Sequence, residues 1–139
     1  MQEVRPAAVA GMFYPAGATQ LAADVQRLLA QAAEQASAQG GAMPKAIIAP
    51  HAGYVYSGAV AASAYARLLP LRDTIRRVVL LGPAHRAHVR GLALPGSQTF
   101  ETPLGRVPVD AEAVARLTRL PQVSVSPAAH SQEHSLEVQ

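Results

Sequence analysis

Lys45-Ala46-Ile47-Ile48-Ala49-Pro50-His51 and Arg77-Val78-Val79-Leu80-Leu81-Gly82-Pro83-Ala84-His85 are the two stretches on which the fold turns. Each is a short apolar run that ends at a Pro or a Gly-Pro pair just ahead of a histidine. Residues 45–49 and 77–81 have strand length, and the unbroken Val-Val-Leu-Leu of the second fits a strand buried on both faces. Residues 58–69 between them are expected to form a helix, with Ser57 as its N-cap and Pro70 as its stop. Strand, helix and strand make one βαβ crossover. The expected fold class is therefore α/β, with a largely parallel central sheet and helices on both faces. His51 and His85 are 34 positions apart, about the length of one βαβ unit. A right-handed crossover would put both at the carboxyl ends of their strands, where open parallel sheets bind ligands.

Outward from this unit, residues 21–42 are alanine-rich, and Leu21, Val25, Leu28, Leu29, Ala32, Ala33 and Ala36 recur at helical spacing. Thr19 is the expected N-cap of that helix and Gly40-Gly41 its stop. On the other side, residues 91–94 and 106–109 read as short strands flanking a turn-rich segment, 98–105. Asp110 is the expected N-cap of a helix carrying Ala113, Val114, Leu117 and Leu120, and residues 123–125 read as one more strand. Residues 135–139 look like the opening of a helix with no apolar continuation. Residues 1–139 are accordingly expected to be the N-terminal part of a single domain, incomplete at its C-terminus.

Composition narrows the class. Half of the 139 residues are hydrophobic, enough for a buried core, and only 15% are charged, against about a quarter in an average soluble domain. No apolar run approaches the roughly 18 residues of a membrane span, and the first residues lack the layout of a secretion signal. A cytoplasmic location with no membrane partner is expected. The net charge of +3 comes from eleven arginines and Lys45 against nine acids. Arg72, Arg76, Arg77, Arg86 and Arg90 cluster without interleaved aromatic residues, so no nucleic-acid partner is expected. With no cysteine, the chain has neither disulfide nor thiolate ligand, and a metal would need His, Asp or Glu.

His51 and His85 are the candidate metal ligands, because imidazole binds iron, copper and zinc and two need only a further donor. Taken singly, each reads more readily as a strand-end residue bonded to loop backbone, and it is their paired placement that favours a ligand role. Between them, Gly53 permits a tight turn, Tyr54 and Tyr56 offer hydroxyls or packing, and Ser57-Gly58 would begin a helix whose amides favour an anion. Glu133-His134-Ser135-Leu136-Glu137, if helical, places His134 and Glu137 on neighbouring positions. The pair would reach one ligand together, or the acids would simply suit a helix's first turn. His88 and His130 are expected at the surface.

Taken in order, Pro50-His51-Ala52-Gly53-Tyr54-Val55-Tyr56-Ser57-Gly58, Gly82-Pro83-Ala84-His85, Thr102-Pro103-Leu104-Gly105 and Glu133-His134-Ser135-Leu136-Glu137 resemble the Memo family. Its bacterial members are often called AmmeMemoRadiSam system protein B. Gly11-Met12-Phe13-Tyr14-Pro15 also resembles the family's opening. The resemblance runs over nearly the whole chain but only the first part of the family's domain. It implies a fold similar to class III extradiol dioxygenases, non-haem iron enzymes that open catechol rings. It further implies His51 and His85 as metal ligands, with Phe13, Tyr54 and His134 lining the pocket. The family's third ligand is typically a cysteine farther along, and Ala84 stands where a polar residue such as serine is often seen. The family's gene association implies AMMECR-type and radical SAM partners.

The expected function is metal-dependent redox or dioxygenase-like chemistry on a small molecule or peptide, with iron or copper as cofactor and His134 or Tyr54 handling a proton. The alternative is a non-catalytic module that binds a peptide or small anion in the same pocket.

Overall fold

The computed structural model describes residues 3–39 and 42–139, with side chains for all of these except 36–39. It is a mixed α/β structure that divides into two compact units. One comprises residues 11–79 with Val138, and the other residues 3–10, 80–137 and Gln139.

The first unit is helical. Helix α1 spans Ala18–Gln39 and α2 spans Tyr54–Tyr65, continuing as a 3-10 helix over Ala66–Leu71. The core here is built from small side chains: Ala32, Ala62 and Ala66 are buried, with Leu28, Leu29, Ala33 and Leu69 packed against them. Alanine and glycine let the two helices approach closely. A Cβ at Gly58 would already lie 3.0 Å from Leu28 Cδ1. The expected first helix is present, and Gly40-Gly41, its expected stop, lies outside the described residues. The second helix starts four residues earlier than its expected position, on Gly53 rather than Ser57. Ser57 sits inside the first turn, where its hydroxyl donates back to Ala52 O at 3.0 Å, so the capping-type side chain is used within the helix. Pro70 lies inside the 3-10 helix instead of closing α2.

The second unit holds β1 (Val4–Arg5), β2 (Leu92–Leu94), β3 (Thr99–Thr102), β4 (Gly105–Pro108), α3 (Ala111–Leu117), β5 (Val123–Val125) and α4 (Pro127–Ser131). Two small sheets form. In one, β3 pairs parallel with β1 and antiparallel with β4; in the other, β2 pairs parallel with β5. Strands β2, β4 and β5 lie where the sequence places them. Strand β3 was hidden inside the turn-rich segment, because Pro103-Leu104 is the two-residue loop of a hairpin whose first arm is Thr99–Thr102. Asp110 caps α3 as expected, accepting from the Ala113 amide at 2.9 Å.

The central parallel sheet is not present among the described residues. Residues 45–49 and 77–81 make no strand pairing there, and several of their apolar side chains are exposed: Ile48 fully, and Val78, Val79 and Leu81 by more than two-thirds. A strand exists only through a neighbour's ladder, so strand-forming residues without a paired neighbour stay extended. Residues 135–139 form turns rather than the expected helix. Among the described residues no helix is long and apolar enough to cross a membrane.

Gly91 fixes the β2–β5 sheet. Its φ is +78°, and an added Cβ would lie 2.2 Å from Gln122 O, the carbonyl that accepts from the Leu92 amide at 2.9 Å. That carbonyl cannot withdraw without losing the bond. Gly105 also has positive φ but open space around its Cβ position. Gly105→Ala should cost about 1–3 kcal/mol from backbone strain alone, and Gly91→Ala clearly more. Urea unfolding of the two variants checks the order; equal costs would contradict it.

Candidate functional site

The turn at residues 130–137 is the centre of the strand unit. Arg5, 3% exposed, donates from Nε to His130 O, from Nη2 to Glu133 O and from Nη1 to Glu137 Oε2. The Glu137 carboxylate also accepts the backbone amides of Ala8 (2.8 Å) and Val9 (3.0 Å). The Arg5 guanidinium lies 5.1 Å from the Phe100 ring centre, a cation–π distance. His130 is buried against this cluster, edge-on to Phe100, with its Nε2–H donating to Ala93 O at 2.9 Å. His130 is therefore a packing residue, not the expected surface one: its carbonyl and its ring each bond to another strand. Both oxygens of Glu137, expected beside His134, are engaged here by Arg5 and the two amides.

With the turn anchored, its other residues hold the loop at 82–85. The Ser135 hydroxyl donates to Pro83 O at 2.8 Å. A Cβ at Gly82 would sit 2.8 Å from Ser135 Oγ and 2.9 Å from Leu136 Cδ2, so those two side chains would have to shift to admit one. Glu133 Oε2 accepts the His85 backbone amide, and Oε1 accepts the His134 and Ser135 amides, each at 2.9 Å. Oε1 also lies 2.8 Å from His85 Nδ1 and 3.4 Å from His134 Nδ1. Burial alone pushes the Glu133 carboxyl up, but the bonds from the His85 side chain and from the His85, Ser135 and His134 amides outweigh it and bring its pKa down to about 2. An ionised carboxylate only accepts. The 2.8 Å contact is therefore an Nδ1–H of His85 donating to Glu133 Oε1. The His85 and His134 rings stack at 4.5 Å between centres and 18° between planes.

In the helical unit, Phe13 and Tyr54 are neighbours: Phe13 O accepts the Tyr54 amide at 2.7 Å, and the Tyr14 and Tyr54 rings lie 5.8 Å apart. A Cβ on Gly53 would meet Phe13 O at 3.4 Å. Burial pushes the Tyr54 phenol up, so it keeps its proton at neutral pH. His51 is half-buried, two residues ahead of the Gly53 cap. Tyr56 is 87% exposed and is a surface residue in this unit. The amides of Tyr54, Tyr56 and Ser57 are taken by Phe13 O and Gly53 O, so the start of α2 does not offer these three to an anion. Within the units, then, the structure brings together His85 with His134 and Phe13 with Tyr54. Glu133, Ser135 and Gly82 were missed; an acid directly preceding His134 was the available signal.

Comparison with known proteins agrees with the motif order. Residues 5–139 match the family described as Memo-like protein. The chain is 37% identical over 136 residues to a MEMO1 family protein of Aquifex aeolicus, covering 98% of this chain and 48% of that one. It is 36% identical over 138 residues to a MEMO1 family protein of Pyrococcus furiosus, covering 98% and 45%. Against Protein MEMO1 of Danio rerio the figures are 38% over 135 residues, 96% and 43%. The chain belongs to the Memo-like protein family. It spans about half the length of the curated relatives it matches.

Arg5→Ala would leave the Glu137 charge buried against two amides, an expected loss of about 3–5 kcal/mol. Arg106→Ala, which breaks the exposed pair with Glu101 (3.2 Å), should cost under about 1 kcal/mol. Chemical denaturation distinguishes the two, and a small effect at Arg5 would contradict the anchoring role.

Proposed function

We propose that this protein is a cytoplasmic, metal-dependent redox protein of dioxygenase-like type, which binds iron or copper through His51 and His85. Phe13, Tyr54 and His134 line the pocket for a small molecule or peptide. The observation that carries this is the Glu133–His85 bond at 2.8 Å, because a histidine whose Nδ1–H is held by a carboxylate is the usual form of a metal-ligating imidazole. His85 is also 41% exposed at its side chain. The donor set fits iron or copper, which favour imidazole nitrogen. When bound, such a metal supplies one-electron chemistry and Lewis acidity.

The chain's own residues supply the rest. Tyr54, kept protonated by burial, donates a proton to substrate, and His134, stacked on His85, accepts or returns one. The family's third ligand, a cysteine, has no counterpart among these 139 residues. It would come from the half of the family's length that this chain does not span. The same half would supply sheet neighbours for residues 45–49 and 77–81, completing a fold similar to class III extradiol dioxygenases; the exposure of Ile48, Val78, Val79 and Leu81 supports this. AMMECR-type and radical SAM proteins are the proposed partners, on family association.

Elemental analysis of protein purified without oxygen tests the reading. Iron or copper should accompany the protein extended to the full length of the family and be lost, by tenfold or more, from its His51→Ala, His85→Ala double variant. Full retention of metal by that variant would overturn it.

A further inference from the structure

Between Asp73 and Glu101 the sequence carries no acidic residue, although Arg76, Arg77, Arg86 and Arg90 all fall there. In the strand unit this stretch includes the segment that follows His85. Arg86, His88 and Arg90 are exposed while Ala87 and Val89 between them are half-buried, so the three basic side chains share the solvent side. The segment is held at both ends. Glu133 accepts the His85 amide at its start, and at its finish Gly91 packs against Gln122 O, to which the Leu92 amide donates. The acids of the same unit, Glu3 apart, are engaged elsewhere: Glu101 and Glu112 pair with Arg106 and Arg116, Asp110 caps α3, and Glu137 is buried against Arg5. Glu133 meets His85, but its charge is already matched by three amides and that ring. Among the described residues no hydrogen bond or ion pair engages the Arg86 or Arg90 guanidinium.

We propose that Arg86, His88 and Arg90 form a basic rim that docks an extended acidic segment of a peptide beside the stacked His85 and His134 rings. Cations without a counter-charge, on a segment anchored at both ends, raise the local concentration of anions and guide their approach. Alternate side chains of an extended peptide point the same way, about 6.6 Å apart, so acids at every second position match basic residues at every second position. The planar guanidinium takes a carboxylate through two parallel bonds, which adds direction to the attraction. Residues 82–98 contain no Phe, Tyr or Trp. The rim therefore lacks the aromatic platforms on which nucleic-acid bases stack, and peptide carboxylates are favoured over nucleic-acid phosphates. The inference rests on the peptide branch of the proposed function and requires no metal.

Fluorescence anisotropy of a labelled peptide that alternates glutamate and glycine, titrated with the metal-free full chain, tests this. The peptide should bind, its glutamine–glycine counterpart should not, and raising salt from about 20 to about 200 mM should weaken binding. Arg86→Gln, Arg90→Gln should weaken it about tenfold. Both arginines are exposed, so that double variant keeps its fold. Arg116→Gln, Arg119→Gln removes the same charge at the end of α3 and should leave affinity within about twofold. Equal weakening by the two double variants would reduce the effect to net charge and overturn the proposal. Failure of the wild type to bind the acidic peptide overturns it too, as does tighter binding of a single-stranded oligonucleotide. Because the assay holds no metal, failure of the metal reading leaves each of these outcomes unchanged.

Discussion

Glu137 accepts from Arg5 and from the Ala8 and Val9 amides, and the strand unit is arranged around that buried carboxylate. An ion pair with side chains only 4% and 1% exposed is costly to desolvate, and it persists because every strong acceptor position is matched by a donor. The consequence is geometric. Arg5 also reaches the carbonyls of His130 and Glu133, so residues 3–9 and 130–137 are locked in one register. Four residues before Glu137, the second carboxylate of the same turn is thereby delivered to His85.

The two acids of Glu133-His134-Ser135-Leu136-Glu137 thus divide the work. Glu137 faces inward and anchors the turn, while Glu133 faces the loop at 82–85 and sets an imidazole. Neither acid is one of the expected metal ligands. Both nevertheless determine where His85 and His134 sit, and the close contact at Gly82 shows how little slack the loop has. Pre-organisation of this kind spares a ligand-binding site the entropy of ordering two side chains at the moment of binding.

Much of this was legible in the residues. The periodicity of residues 21–36, the Asp110 cap and the short strands at 92–94, 105–108 and 123–125 all depend on local physics, which a sequence displays. The motif histidines were legible as chemistry-bearing residues, and the family resemblance was carried by their order. What was not legible depends on partners distant in the chain. Residues 77–81 are strand-like by composition, but pairing is non-local, and no described residue pairs with them. His130 looked like a loop histidine because its partners, Ala93 and Phe100, are thirty or more positions away. Glu133 and Glu137 suit a helix's first turn equally well on paper. Only the arrival of Arg5, 132 positions from Glu137, turns that segment into a non-helical clamp.

The central proposal is that His85 is a metal ligand whose ring is held by Glu133 through Nδ1. Electron spin-echo modulation of the Cu2+-loaded protein reads this directly, because the remote, protonated nitrogen of a coordinated imidazole gives a characteristic modulation pattern. The account predicts that pattern in the full chain and its reduction in His85→Ala. Copper bound without imidazole modulation, or modulation unchanged in His85→Ala, would contradict it.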